Sequence, residues 1–325
     1  MSFKRRTLLQ MLPAAAAMSM IPRVSSATPH RVMVLGGGFA GSTVAKYLKM
    51  WSQGTIEVTL VEPRIKHVSC IMSNLVLNGQ LTVGDLSFDY QALQTKYGIN
   101  VIQDRAQRVN GVGKEVKLQD AGWQPYDSLV VATGIKFDAI PGLDPRKTPH
   151  AWIAGGQTNL LRNQIRAMPD DGTFVMTIPQ KPNRSQPGPY ERSCLVSDIH
   201  KRRGGDASVI VLDANEGIQA EKATFTLAFN ELYGDFIDYR PLVKVDAVDS
   251  DGGIVYPSKV VAPGEPEVDL AAVRGDVVNV IPRHGAQQTL VRSGLTDGGR
   301  WAPVDATTYA SSLEDFPGVY VVGDS

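Results

Sequence analysis

The sequence is poor in cysteine and carries no excess of charge of either sign. Its 325 residues include only two cysteines, and 33 Lys and Arg residues balance 33 Asp and Glu residues. A neutral balance gives no electrostatic reason to expect a nucleic acid or an anionic membrane surface as a partner. No cluster has the spacing of metal ligands, and no Ser/His/Asp arrangement can be recognised. Small-molecule chemistry is therefore the expected kind of function.

The N-terminus contains an apolar stretch that is too short to be a membrane span. Residues 11–21 are interrupted by Pro13 and cannot cross a bilayer. Arg5-Arg6 precedes this stretch and the small residues 25–27 follow it. This order predicts a twin-arginine signal peptide over residues 1–27 and export to the periplasm. The alternative is a disordered basic start of a cytoplasmic protein.

The strongest pattern present is a β-branched run, a glycine turn and a helix over residues 31–48. Gly36, Gly38 and Gly41 stand in the G-x-G-x-x-G register. That register permits a tight turn, close approach to a pyrophosphate and close packing of helix on strand. A second apolar run ends in Glu62, where an acid can accept hydrogen bonds from ribose hydroxyls. We expect a dinucleotide site here; the alternative is a βα unit whose glycines serve packing alone.

A second strand, loop, helix and strand follow the proline-rich linker at 140–149. The strand at 172–178 leads into the loop 179–189, which contains several prolines and no glycine fingerprint. Because proline lacks the backbone donor that a pyrophosphate needs, this unit is not expected to bind a nicotinamide cofactor. The fold prediction is α/β with two Rossmann-like domains, an arrangement that resembles the glutathione-reductase type.

Two more strands end in small residues. The first, residues 126–134, closes on Ala-Thr-Gly, and the second, residues 318–324, closes on Gly-Asp. Together with the glycine turn, and in this order and spacing, they resemble the signatures of two-dinucleotide-domain flavoproteins, and this resemblance implies FAD. Four further strings, at 68–74, 149–152, 187–192 and 302–305, resemble the flavoprotein subunit of flavocytochrome c sulfide dehydrogenase. The resemblance covers about residues 28–325.

The resemblance implies FAD, a small sulfur-containing reductant and a c-type cytochrome as electron acceptor. Cys70 occupies the position from which family members form a thioether to the flavin 8α carbon. Its alternatives are a buried structural thiol or a disulfide with Cys194. The implied cofactor-binding residues are Gly36, Gly38, Phe39, Ala40, Gly41, Glu62, Pro63, Arg64, Cys70, Thr133, Gly134, Gly323 and Asp324. His67 and Glu191 are the nearest candidates for acid or base chemistry, although structural roles are more usual for such residues.

The sequence departs from the family at two points. The redox-active cysteines of the family are expected at the positions of Ser185 and Ala302, and neither serine nor alanine can form the persulfide. The sequence also lacks the expected C-terminal interface domain after Asp324, which favours a fragment over a reduced paralogue.

The predicted domains are a discontinuous FAD-binding domain, residues 28–145 and 295–325, and a second Rossmann-like domain, residues 146–294. Three functions remain open. The first is a periplasmic flavoenzyme that passes electrons from a sulfur compound to a cytochrome c. The second is a NAD(P)H-linked flavoprotein reductase. The third is a non-catalytic or truncated FAD-binding paralogue.

Overall fold

A computed structural model describes residues 28–325, so the predicted signal peptide at 1–27 lies outside the described residues. The strands in chain order are β1 (Arg31–Leu35), β2 (Glu57–Val61), β3 (Lys66–Val68), β4 (Ser87–Asp89), β5 (Asn100–Ile102), β6 (Ala106–Asn110), β7 (Glu115–Leu118), β8 (Gly122–Pro125), β9 (Ser128–Val131), β10 (Ile135–Phe137), β11 (Thr173–Ile178), β12 (Ser208–Asp213), β13 (Ile237–Pro241), β14 (Val243–Asp249), β15 (Ile254–Lys259), β16 (Val273–Arg274), β17 (Val277–Val280), β18 (His284–Ala286) and β19 (Val319–Val321).

The helices are α1 (Phe39–Trp51), α2 (Asn74–Leu77), α3 (Gln91–Tyr97), α4 (Gly156–Ala167), α5 (Gly188–Arg203), α6 (Lys222–Leu227) and α7 (Gln288–Ser293), with a π-helical turn (Ala228–Leu232) after α6. None of the helices within residues 28–325 combines the length and apolar character that crossing a bilayer requires.

The first sheet is a parallel sheet of five strands in the order β19-β9-β1-β2-β5. Its central strand β1 is almost wholly buried, because helices and an antiparallel layer cover both faces of the sheet. Leu35 is in register with Val61 on one side and Val131 on the other. The carboxyl ends of these strands therefore meet at one edge, and the predicted cofactor residues follow them there.

The second sheet is also parallel and has the order β13-β12-β11-β17. Its strand β11 is buried from Phe174 to Ile178. Helices α4 and α5 cover one face through Leu161, Ile165 and Val196. Two parallel sheets confirm the predicted α/β fold class.

The antiparallel pair β10–β18 connects the two sheets. After β18 the chain packs at once against the first sheet, since Leu290 of α7 and Leu295 share a core with Leu35 and Leu129. The division into domains remains a prediction. This packing leads us to propose that the second segment of the first domain starts near residue 284 instead of 295.

Candidate functional site

A cleft of about 700 Å³ opens at the carboxyl edge of the first sheet. We call the parts of the chain built on the first and second sheets the first and second units. The cleft lies between this edge and the second unit, where the loop before α5 contributes Arg184 and Ser185 and the start of α5 contributes Gly188. The sequence-predicted residues that line it are Gly36, Gly38, Phe39, Ala40, Glu62, Pro63, Arg64, Cys70, Thr133, Gly134, Gly323 and Asp324. Gly41 is the one member of the predicted set that stands outside this lining, because it is buried behind the turn.

The three glycines of the turn have different physical roles. A Cβ on Gly36 would lie 2.3 Å from the Ala132 carbonyl oxygen, and one on Gly41 would lie 1.9 Å from the Gly36 carbonyl oxygen. Neither position can hold a side chain, because a Cβ atom there would overlap with the protein backbone. A Cβ on Gly38 would meet only His67, at 3.9 Å. The space in front of Gly38 is therefore open toward the cleft, as close approach by a ligand requires.

Helix α1 begins in the cleft wall without a side-chain cap. Gly38 supplies no capping oxygen, and the first bond into the helix runs from the Ser42 amide to the Gly38 carbonyl. The amides of the preceding first turn thus have no helical acceptor and carry the positive end of the helix dipole. Such a terminus suits the phosphates of a dinucleotide.

Glu62 lies at the end of β2 and faces the glycine turn. Its Oε2 accepts a hydrogen bond from the Gly37 amide at 2.8 Å, and its Oε1 accepts one from the Arg64 amide at 3.0 Å. Tyr90 holds the other side of the turn, because its hydroxyl donates to the Gly37 carbonyl at 3.0 Å. The carboxylate is fixed by the turn that it borders, and it remains half-buried in the cleft lining.

Several polar atoms in the cleft wall are buried and have no hydrogen-bond partner among residues 28–325. They are Thr133 Oγ1, His67 Nε2, Trp152 Nε1 and Arg184 Nε. Burying an unpaired polar atom is costly, so a cleft lined by them fits a ligand that carries polar atoms of its own. Burial also lowers the pKa of His67. This histidine is therefore neutral at neutral pH and can donate or accept one hydrogen bond through Nε2.

The two cysteines occupy different surroundings. Cys70 is an exposed thiol in the cleft lining, on the loop between β3 and α2. Cys194 is partly buried on α5 against the core of the second unit, and burial raises its pKa to about 11. Both thiols are free. The alternatives of a disulfide between them and of a buried structural Cys70 are therefore wrong for this structure.

The second unit brings two arginines, Arg184 and Arg192, to the cleft lining. The Arg184 backbone amide donates to Nε2 of the buried His284 at 2.8 Å, and His284 Nδ1 lies 3.0 Å from the Pro282 carbonyl. This pattern assigns the proton to Nδ1, and burial lowers the pKa of His284. The Arg184 side chain, only 13% exposed, places Nε 3.7 Å from Asp324 Oδ2 and thereby joins the two units across the cleft.

The sequence reasoning missed Arg184 and His284 as site residues. Arg184 was visible only as the neighbour of Ser185, and His284 carries no sequence motif. Ser185 lines the cleft as expected, whereas Ala302 packs against the core of the first unit. Glu191 also lines the cleft, where it accepts a hydrogen bond from Asn74 Nδ2 at 3.1 Å.

Arg192 lies where the two units contact each other, a boundary that we call the seam. It is 1% exposed and donates to Asn74 Oδ1, Asn279 Oδ1 and the carbonyls of His150 and Ala151 at 2.8 to 3.1 Å. Burial lowers the pKa of this guanidinium, which remains charged because arginine is protonated throughout the physiological range.

The second unit lacks the features of a dinucleotide turn. At the start of α5 the Gly188 amide already donates to the Ser185 carbonyl, and Pro189 has no amide proton. The acid at the end of β12, Asp213, is fully buried. It accepts hydrogen bonds from the hydroxyls of Tyr190 and Tyr239 and from the Asn215 amide at 2.7 to 2.9 Å. Neither the helix start nor the acid is available to a second cofactor.

Fold and site together define a Rossmann-like flavoprotein with a dinucleotide cleft at the carboxyl edge of the first sheet. The family model of the sulfide dehydrogenase [flavocytochrome c] flavoprotein chain, central part, matches residues 158–282. The pyridine nucleotide-disulphide oxidoreductase model matches residues 30–161. The flavoprotein chain of sulfide dehydrogenase from Chlorobaculum thiosulfatiphilum is 52% identical over 46 residues, which are 14% of this chain and 94% of that relative. The chain belongs to the FAD-dependent pyridine nucleotide-disulphide oxidoreductases and, within them, to the family of this flavoprotein chain.

More distant relatives cover more of the chain. Mitochondrial sulfide:quinone oxidoreductase of Mus musculus is 25% identical over 307 residues, 91% of this chain and 65% of that protein. The solved sulfide:quinone oxidoreductase of Aquifex aeolicus matches with a TM-score of 0.74 and 19% identity, over 90% of this chain and 68% of that one. This chain thus spans about two thirds of the length of these relatives. At this identity, the solved structure supports the fold alone.

Proposed function

We propose that this protein is a periplasmic FAD-dependent oxidoreductase that passes electrons from a sulfur compound through its flavin to a c-type cytochrome. The carrying observation is the single cleft, which joins the glycine turn, an exposed cysteine and a cation of the second unit. The family supports a sulfur substrate, because the relatives above are named for sulfide oxidation. The periplasmic location rests on the twin-arginine pattern.

FAD would be held by the described residues in a fixed order along the cleft. The N-terminus of α1 and Gly38 would hold the pyrophosphate, Glu62 the adenosine ribose and Asp324 the ribityl chain. The flavin supplies the ability to accept an electron pair and to release electrons one at a time. The protein's own contribution is to orient it between the two units, where Arg184 provides a positive charge beside Ser185.

Cys70 is proposed to attach the flavin covalently. Its thiol is exposed within the cleft, so no unfolding is needed to bring it to a bound cofactor. Acid precipitation of the full-length protein should leave the yellow colour in the pellet. Cys70→Ala should release the colour to the supernatant, while the matched variant Cys194→Ala should retain it. Colour released by the unmodified protein would contradict the attachment.

The substrate is tested by anaerobic stopped-flow mixing with sulfide. Bleaching of the flavin, followed by recovery on addition of cytochrome c, is the expected result. No bleaching at millimolar sulfide would remove sulfide as the substrate and leave another reductant. Recovery with a soluble quinone but not with cytochrome c would contradict the proposed acceptor.

The two alternatives make different predictions in the same experiment. A NAD(P)H-linked reductase would bleach rapidly with NADH, which we do not expect because the α5 turn and Asp213 are already occupied. A non-catalytic FAD-binding paralogue would bind flavin but fail to turn over with any donor. The serine and alanine at positions 185 and 302 favour a donor reaction that does not use the family's disulfide.

A further inference from the structure

A second cavity, of about 320 Å³, lies on the seam between the two units and away from the cofactor cleft. The turn after α2 contributes Asn78 and Gly79, and helices α4 and α5 contribute Arg162, Arg166 and Arg203. The remaining lining residues are aliphatic: Leu77, Ile165 and Ile199. No acidic residue lines this cavity, which we call the arginine pocket.

The positive charges of the arginine pocket are not balanced locally. Among residues 28–325 no carboxylate lies within ion-pairing distance of the three guanidiniums, although the adjacent Arg202 pairs with Asp198 at 2.7 Å. Arg162 and Arg166 stand one helical turn apart on the same face of α4, where like charges repel. Three cations that share a cavity without a counter-ion create a strong local preference for an anion.

The helix dipole accounts for two of the three arginines of the pocket but not for the third. Arg166 and Arg203 lie in the last turns of α4 and α5, where the helix dipole favours cations, and Arg203 Nη1 lies 3.5 Å from the Ile165 carbonyl. Arg162 lies in the middle of α4 and gains nothing from the dipole. Its Nε is buried and has no hydrogen-bond partner within the described part of the chain. A buried guanidinium nitrogen without an acceptor is costly unless a ligand supplies one.

Asn78 and Gly79 complete the polar part of the pocket lining. Asn78 Oδ1 accepts a hydrogen bond from the Gln80 amide at 3.1 Å. A Cβ on Gly79 would lie 3.4 Å from Arg162 Nη2, so the guanidinium lies close over the glycine turn. The charged side chains that line the cavity are all guanidiniums, which only donate hydrogen bonds, and guanidinium pairs are suited to oxyanions.

We propose that the arginine pocket binds a small oxyanion with at least two negative charges, such as sulfate or phosphate, and so joins the two units at their seam. Helix α2 connects this pocket with the cofactor cleft: Asn74 at its start lines the cleft, and Leu77 at its end lines the pocket. The proposal rests on the pocket alone and does not depend on the proposed reaction.

Isothermal titration of sulfate into the full-length protein, in a chloride buffer of constant ionic strength, tests this site. Saturable binding of one sulfate per chain is expected. Each of Arg166→Gln and Arg203→Gln should weaken it by about tenfold or more, since each removes charge-assisted hydrogen bonds. Arg292→Gln is the matched control, because Arg292 is an exposed arginine in the last turn of α7, outside the pocket.

Absence of saturable sulfate binding would overturn the proposal, as would equal weakening in the Arg292→Gln control. A short acidic peptide that binds where sulfate does not would also overturn it and would identify the pocket as a protein contact. Thermal melting of each variant without sulfate shows whether it is folded. Arg166 and Arg203 are both exposed, so either variant provides the test on its own if the other does not fold.

Discussion

The two Rossmann-like units of this protein share a topology and differ in what their first turns can do. In the first unit a glycine turn leads into α1, whose initial amides have no helical acceptor, and Glu62 at the end of β2 lies in the cleft. In the second unit a proline-containing turn leads into α5, and the corresponding acid, Asp213, is buried among tyrosine hydroxyls. One unit presents free donors to a ligand, and the other uses its polar groups internally.

The difference shows that a strand, a helix and an acid in the right order do not make a dinucleotide site. The site also needs amides that the protein leaves unpaired and space that no side chain fills. In this protein the second unit provides the far wall of the cleft through Arg184 and Ser185. The following predictions test that division of roles, beginning with the largest effect.

Gly41→Ala should abolish the native fold of the first unit. The added Cβ would lie 1.9 Å from the Gly36 carbonyl oxygen, so α1 would have to move away from β1. We expect a loss of more than about 3 kcal/mol in the free energy of unfolding. Gly156→Ala is the control, because a Cβ there meets nothing within 4 Å. Equal urea denaturation midpoints for the two variants would contradict the packing role of Gly41.

His150, which lies at the seam between the units, should make the free energy of unfolding depend on pH. Burial, with further contributions from the charges of Arg192 and Arg184, lowers the pKa of His150 from 6.5 to about 4. The unfolded chain therefore binds more protons between these values, so this contribution is complete above pH 6.5, falls progressively as the pH is lowered, and is lost by about pH 4. The loss amounts to at most about 3 kcal/mol.

His150→Asn is the variant that isolates this effect. Asparagine can still accept the hydrogen bond that the Trp152 amide donates to His150 Nδ1 at 2.9 Å, but it does not titrate. Urea unfolding at several pH values should show a shallower acid dependence in the variant. A residual slope is expected, because burial also lowers the pKa of His67, His200 and His284. Identical slopes in variant and parent would contradict the assignment to His150.

Asp213→Asn should weaken the second unit and leave FAD binding unchanged. All four hydrogen bonds at this carboxylate are donated to it, from Tyr190, Tyr239 and both nitrogens of Asn215. Asparagine would place an NH2 group, itself a donor, against some of these donors. We expect this mismatch to lower the free energy of unfolding by about 2 kcal/mol. Asp198→Asn is the control, since its ion pair with Arg202 lies on the surface. Loss of flavin in Asp213→Asn alone would show that Asp213, and not only the cleft wall of the second unit, takes part in cofactor binding.

Glu62→Gln should have the smallest effect on stability and a measurable effect on FAD affinity. The amide oxygen can replace only one of the two carboxylate oxygens that accept from Gly37 and Arg64. We expect FAD binding to weaken by about tenfold, from the loss of a charge-assisted contact. Glu57→Gln, at the exposed start of β2, is the matched control. Unchanged FAD affinity in Glu62→Gln would remove Glu62 from the predicted ribose site.

The features that sequence predicted here are local ones. The glycine turn, the β2 strand before Glu62 and the proline-filled loop of the second unit are short patterns in which neighbouring residues determine the outcome. The contact of Arg184 with His284, the seam around Arg192 and the arginine pocket each join segments far apart in the chain. Their formation depends on how the two sheets pack, and no periodicity in a single sequence specifies that arrangement.

The position of Ala302, outside the cleft lining, illustrates the same limit. The motif resemblance placed Ser185 and Ala302 as a pair, and only the packing shows that Ala302 contacts the core of the first unit.

The dissociation constant of FAD, measured in the Cys70→Ala background with and without Gly38→Ala, tests the central claim most directly. A Cβ at Gly38 meets no protein atom closer than 3.9 Å, so the fold should be kept while the methyl group intrudes on the ligand. We expect one FAD per chain, a dissociation constant raised by about tenfold to a hundredfold by Gly38→Ala, and an unchanged melting temperature without FAD. Unchanged affinity in the folded variant, or a second dinucleotide bound per chain, would contradict it.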